Sequence, residues 1–207
     1  IRRPGKVEDA IEKYSVLRSY MAVDRADVCV IMLDAAEGVT EQDTKIAGYA
    51  NDQGKALVVA VNKWDTVEKE TGTLEKMKKQ IAADLAFMSY APILFISAKT
   101  GQRVEKLFEQ VCSSYESNTR RITTGALNDV LNDATTRVQP PSDKGKRLKI
   151  YYMTQASTAP PTFVFFVNKK DLFHFSYQRY LENQLRKAFG FSGSPIRFIV
   201  REKGEKL

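Results

Sequence analysis

Histidine is nearly missing from this chain: His174 stands alone among 207 residues. A histidine-based catalytic triad or a zinc cluster therefore lacks its usual parts. Cysteine is almost as scarce, with only Cys29 and Cys112, far apart. Two unclustered cysteines exclude a disulfide framework and point to structural thiols in a reducing, cytoplasmic setting. No apolar run approaches the roughly 20 residues that a membrane-spanning helix needs. Two further absences concern phosphate chemistry. A loop that cradles phosphates and Mg2+ is written Gly-x-x-x-x-Gly-Lys-Ser/Thr, and neither that string nor Asp-x-x-Gly occurs here.

What is present centres on Lys55-Ala-Leu-Val-Val-Ala-Val-Asn62-Lys63-Trp64-Asp65. A short valine-rich run preceded by Gly54 predicts a strand buried on both faces of a parallel sheet. Ligands of such sheets sit beyond the carboxyl ends of the strands, where Asn62 to Asp65 fall. Asn-Lys-x-Asp suits the reading of a guanine. The Asp65 carboxylate can accept from the ring N1–H and the exocyclic N2–H2, and adenine has neither donor in that place. Asn62 can bond the base edge and tie neighbouring loops, while the Lys63 stem can cover a ring face.

A second apolar run, Pro92 to Ser97, is followed by Ala98-Lys99-Thr100-Gly101. Backbone N–H groups of Ser97, Ala98 and Lys99 are in place to meet the guanine O6, with the Lys99 stem over the opposite ring face. The two motifs in this order resemble the fourth and fifth motifs of translation-factor-type GTPases. Strand Val28–Leu33 and helices near residues 41–53, 73–86 and 104–115 complete an alternating α/β pattern with a mostly parallel sheet. Thr40 to Asp43 is similar to a capping box. Ile1 to Val7 reads as a mobile loop before a helix over 8–23, with Tyr14 and Leu17 among its apolar positions. No residue stands out as a general base, and Asp34 at a strand end reads as structural.

Charge divides the chain. Residues 1–118 carry a balance of −2 and residues 119–207 a balance of +9. That shift predicts two domains, 1–118 and 119–207, the second facing a polyanion. Ser117 to Arg121 reads as the polar junction. Beyond it, Thr124 is placed to cap a helix, Pro140–Lys146 reads as an exposed loop, and strands are expected at 148–153, 162–167 and 196–200. Ser176 is placed to cap a helix over 177–189, which Gly190 ends. The order α-β-β-α-β makes a small α+β domain. Arg120, Arg121, Lys144, Lys146, Arg147, Lys149, Lys169 and Lys170 are its candidates for phosphate contact. Phe163, Phe165, Phe166, Phe173, Phe175 and Tyr177 can stack on bases, but strand-spaced aromatics are more often core.

Longer stretches carry a family resemblance. Ile1 to Val7, Glu12 to Arg18 and Asn62-Lys63-Trp64-Asp65 look like the second GTPase domain of the bacterial tandem-GTPase ribosome-assembly factors, EngA or Der. Pro160 to Val164, Phe173 to Tyr177 and Arg179 to Asn183 are similar to its C-terminal KH-like domain. The resemblance implies a partial P-loop GTPase domain followed by a KH-like domain, with residues 1 to about 25 as switch II. It implies GTP or GDP as ligand, Mg2+ held by the N-terminal part missing from this sequence, and a chain inactive on its own. As partners it implies the large ribosomal subunit with its rRNA and a preceding GTPase domain, with neither membrane nor DNA. KH domains grip nucleic acid through a Gly-x-x-Gly loop between two helices. Gly190-Phe-Ser-Gly193 has that spelling, but it sits between the last helix and the last strand, where a helix cap and turn account for it. Two other readings stay open: a protein-docking module sensing another GTPase domain, and a different KH-domain GTPase.

Overall fold

The computed structural model describes residues 4–143 and 145–204. Ile1-Arg2-Arg3 and Lys144 lie outside them. The described residues begin with helix α1 (Pro4–Arg25), so the loop expected up to Val7 is helical from Pro4 onward. Tyr14, Leu17 and Met21 on α1 are more than half exposed, while Val23 near its end is buried.

Strands β1 (Val28–Asp34), β2 (Ala56–Asn62) and β3 (Ile93–Phe95) form a parallel sheet in that order. Residues 56–61 of β2 are all buried, as a central strand covered on both faces must be. On β1 alternate residues Cys29, Ile31 and Leu33 are buried, while Val30 and Met32 stay open. Helices α2 (Glu41–Asp52) and α3 (Thr73–Asp84) contribute Ala47, Ala50 and Ile81 to the cluster on one face. Helix α4 (Val104–Thr119) brings Leu107 against Val58 and Ala60 on the other. The capping box of α2 is complete. The Thr40 hydroxyl accepts from the Asp43 N–H, and the Asp43 carboxylate accepts from the Thr40 N–H.

The second half folds around a separate cluster. Helix α5 (Thr124–Arg137) is capped by Thr123 instead of Thr124. The expected loop after it contains a two-residue hairpin, β4 (Ser142–Asp143) with β5 (Lys146–Arg147). Strand β6 (Ile150–Ser157) runs antiparallel to β7 (Thr162–Val167), which pairs in parallel with β8 (Arg197–Glu202). Helix α6 (Phe175–Phe189) follows His174, which gives no side-chain cap, so Ser176 lies inside the helix. Phe163, Phe165, Phe173 and Tyr177 are buried core with Leu127, Leu131 and Leu185. Among the described residues no helix is long and apolar enough to cross a membrane.

The two sheets are fastened to one another by polar groups. Helix α4 runs on to Thr119, and Ser117 and Asn118, read from sequence as part of a polar junction, are buried. Ser194 Oγ donates to Asn118 Oδ1 at 2.9 Å, and Asn118 Nδ2 reaches the Gly54 carbonyl at 3.5 Å. Gly193 accepts from the Leu57 N–H at 2.7 Å and donates to the Tyr90 carbonyl at 2.9 Å. The second glycine of Gly190-Phe-Ser-Gly193 is therefore spent on the first sheet. Arg186 lies 4.9 Å from the Tyr90 ring centre and donates to the Phe191 and Ser194 carbonyls. Gly54 closes α2 at φ +72, and a Cβ there would strike the Pro160 ring.

Candidate nucleotide-base site

Parallel pairing puts the carboxyl ends of β1, β2 and β3 on one edge, with Asp34 beside Asn62 in register and Phe95 beside Val61. Past Asn62 the chain turns sharply. Lys63 adopts the left-handed conformation at φ 61, and Trp64 to Thr66 form a single 3-10 turn. Trp64 is buried, its ring 4.7 Å from that of Phe95, and its N–H donates to the Ile96 carbonyl at 3.1 Å. That anchor points the two polar neighbours of Trp64 away from the core.

The six residues expected to read a base are brought to one place, by two loops that hold each other. Asn62 Oδ1 accepts the Ala98 N–H at 2.9 Å. Ser97, fully buried, donates its hydroxyl to the Asp65 carboxylate and accepts the Thr100 N–H at 3.2 Å. The Ser97 hydroxyl is the main reason the Asp65 carboxyl is held below the usual carboxylate range, with Lys99 and Lys69 adding weaker pulls. Asp65 is thus an ionised acceptor beside Ser97.

Two details differ from the sequence reading. Of the three backbone N–H groups expected to face the guanine O6, those of Ser97 and Ala98 are donated inside the protein, to the Gln102 carbonyl and to Asn62. The tie between loops therefore uses a group that the base was expected to take. Lys63 carries a contact that was not foreseen: its Nζ lies 2.5 Å from Asp34 Oδ2. This bond is the first cause lowering the Asp34 pKa, and Asp34 also accepts the Ala36 N–H. The signal was present in the sequence as an acid at the end of the neighbouring strand. Lys99 is exposed at the other side.

The basic candidates of the second half divide into two groups. Arg120 donates to the Phe189 carbonyl and Arg121 to the Gln155 carbonyl, so both hold the connection between α4 and α5. Gln155 fastens the same stretch, bonding the Ile122 N–H and the Arg120 carbonyl. Lys146, Arg147, Lys149, Lys169 and Lys170 are exposed at one end of the second sheet. Asn168 ties that end together, accepting from the Lys149 N–H and donating to the Arg147 carbonyl.

Residues 121–201 match the family described as the KH-domain-like of EngA bacterial GTPase enzymes, C-terminal, and residues 14–117 match the Elongation factor Tu GTP binding domain. The chain belongs to the EngA/Der family of GTPases. It is similar to GTPase Der of Acetivibrio thermocellus, with 62% identity over 98% of this chain and 46% of that protein. GTPase Der of Ruminiclostridium cellulolyticum is 63% identical over 98% of this chain and 46% of its own length. The chain thus spans about half the length of the curated relatives it matches. A crystal structure of Aquifex aeolicus Era with GDP.AlF4- aligns over 89% of this chain and 67% of that one, at 16% identity and a TM-score of 0.41.

Proposed function

We propose that the full-length protein binds GTP and hydrolyses it as a conformational switch in assembly of the large ribosomal subunit. The observation that carries the guanine reading is the ionised Asp65 carboxylate, set beside the buried Ser97 and next to Asn62 at the strand ends. Asp65 accepts from N1–H and N2–H2, Asn62 holds the two loops at the right separation, and Lys63 and Lys99 flank the ring. The Asp34 carboxylate steers the Lys63 stem. Phosphates and Mg2+ would be held by a Gly-rich loop outside this chain, which supplies charge neutralisation during hydrolysis.

We assign residues 1–118 to the GTPase domain, beginning in switch II, and 119–207 to a KH-like domain that meets rRNA in the cytoplasm. Lys146, Arg147, Lys149, Lys169 and Lys170 serve as phosphate contacts, while Arg120 and Arg121 hold the linker. The commitment of Gly193 to Leu57 and Tyr90 favours a second role, docking between GTPase domains.

The test is Asp65→Asn in the full-length protein. An asparagine amide donates where the carboxylate accepted, so affinity should move from GTP to xanthosine triphosphate, with GTP binding falling about a hundredfold or more. Unchanged guanine selectivity would overturn the assignment.

A further inference from the structure

Helices α5 and α6 cover only one face of the second sheet. Phe163, Phe165 and Val167 of β7 point toward them, so Val164, itself covered at 1% exposure, and Phe166 point away. Register sets Phe166 opposite Tyr152 on β6 and opposite Arg201 on β8, so the three make one row across the outer face. The Tyr152 and Phe166 rings are stacked, with centroids 4.4 Å apart and planes 16° from parallel. An irregularity in pairing between Ile150 and Tyr152 gives β6 one extra residue, Tyr151, whose ring is also turned to solvent. Lys203 Nζ sits 5.3 Å from that ring centre. Tyr151 and Tyr152 are 44% and 45% exposed, and Ile199 in the adjoining row is 40% exposed.

An aromatic group left in water on a sheet face marks a binding surface. The surrounding charge states which kind. The β4–β5 hairpin presents Lys146 and Arg147 immediately before β6, Lys149 adjoins them, and Lys169 follows β7. Flat rings bordered by cations suit a ligand that is anionic along its backbone and flat at its side groups. A duplex keeps its bases stacked inside and offers this surface only phosphates, whereas single strands expose base faces.

We infer that the outer face of this sheet is a stacking platform for a single-stranded RNA segment. A base continues the Tyr152–Phe166 stack, a second meets Tyr151, and Lys146, Arg147 and Lys149 neutralise the phosphates between them. This rests on the RNA part of the function proposed above and locates the grip on the sheet, away from the Gly190–Gly193 turn that is used to join the two halves.

The measurement is binding of a fluorescein-labelled 12-nucleotide oligouridine, and of an RNA duplex of equal length, to the full-length protein across a salt series. Tyr152→Ala should weaken the single strand about tenfold, leave its salt slope unchanged and leave duplex binding unchanged. Tyr152→Leu, which keeps apolar packing on Phe166, should lose as much, with a thermal midpoint close to the parent's. Tyr152→Phe should stay within about twofold of the parent. Replacing both Lys146 and Arg147 by Ala should flatten the salt slope by about 1.4. Normal oligouridine binding by folded Tyr152→Leu overturns the platform, even if the basic variant binds poorly. Loss of docking to an isolated GTPase domain with RNA binding intact also overturns it. Failure of the parent to bind any RNA would instead remove the RNA reading as a whole.

Discussion

Ser194 and Asn118 are 76 residues apart in sequence and share a buried hydrogen bond of 2.9 Å. With Asn118 Nδ2 directed at the Gly54 carbonyl, one amide serves both sheets. Asn118→Ala leaves the Gly54 carbonyl without its amide, and the Ser194 hydroxyl with only the Pro195 carbonyl to donate to, in a buried seam. We expect a loss of about 2 kcal/mol in denaturant unfolding, together with a split of the transition into two steps. A single unshifted transition would show that the seam contributes nothing.

Gly193 should tolerate no side chain. Its φ of +73 disfavours any L residue, and a Cβ would run into the Ser114 side chain and approach the Leu57 carbonyl to 3.2 Å. Gly193→Ala is expected to cost about 3 kcal/mol, from strain and overpacking together. Gly145 has a similar φ of +78 with open space around its missing Cβ. Gly145→Ala, carrying only the backbone strain, should cost about 1 kcal/mol. Equal costs measured by thermal unfolding would refute the close-approach account.

Tyr177 gives the protein an alkaline limit. Burial raises its pKa to about 12, and its hydroxyl donates to the Val138 carbonyl at 2.8 Å. A raised pKa means the folded state favours the protonated phenol. That stability is fully present below the unfolded value near 10 and is lost as pH climbs to about 12. Tyr177→Phe should cost about 1 kcal/mol at pH 7 and flatten the decline above about pH 10. Identical alkaline unfolding curves for parent and variant would contradict this.

The two thiols should separate cleanly. Cys29 is buried in β1, and burial raises its pKa against a weaker opposing pull from Lys55. Cys112 is exposed on α4. One equivalent of iodoacetamide per chain, all on Cys112, is expected in the native state at neutral pH, and two equivalents in guanidinium. Native labelling at Cys29 would place it outside the core.

The gathering of the candidate base-site residues at one sheet edge was legible because they sit where an apolar run stops abruptly: Val61 to Asn62, and Ile96 to Ser97. Its electrostatics were less so, since the Lys63–Asp34 pair joins two strands whose register a sequence does not display. Asn118 misled for a related reason. Polar residues beside an arginine pair read as a junction between domains, and what buries them is a turn near the far end of the chain. Gly54 ends α2 as a glycine after a helix commonly does, yet the contact of Pro160 against it is a tertiary fact without a local signature. On β7 every residue from Phe163 to Val167 is apolar, so the period of two that separates faces is invisible in composition. Pairing with Tyr152 decides that Phe166 turns outward while Phe165 turns in.

Helix α4 starts three residues after Gly101 and ends just past Asn118. At 16 residues it is a strut about 24 Å long, with one foot in the loop of Ser97 and Lys99 and the other in the buried seam. A strut of that kind neither stretches nor folds without breaking its own hydrogen bonds. An axial slip at the Ser97 end therefore reaches Asn118 at full amplitude, where Ser194 and Gly54 either travel with it or let go.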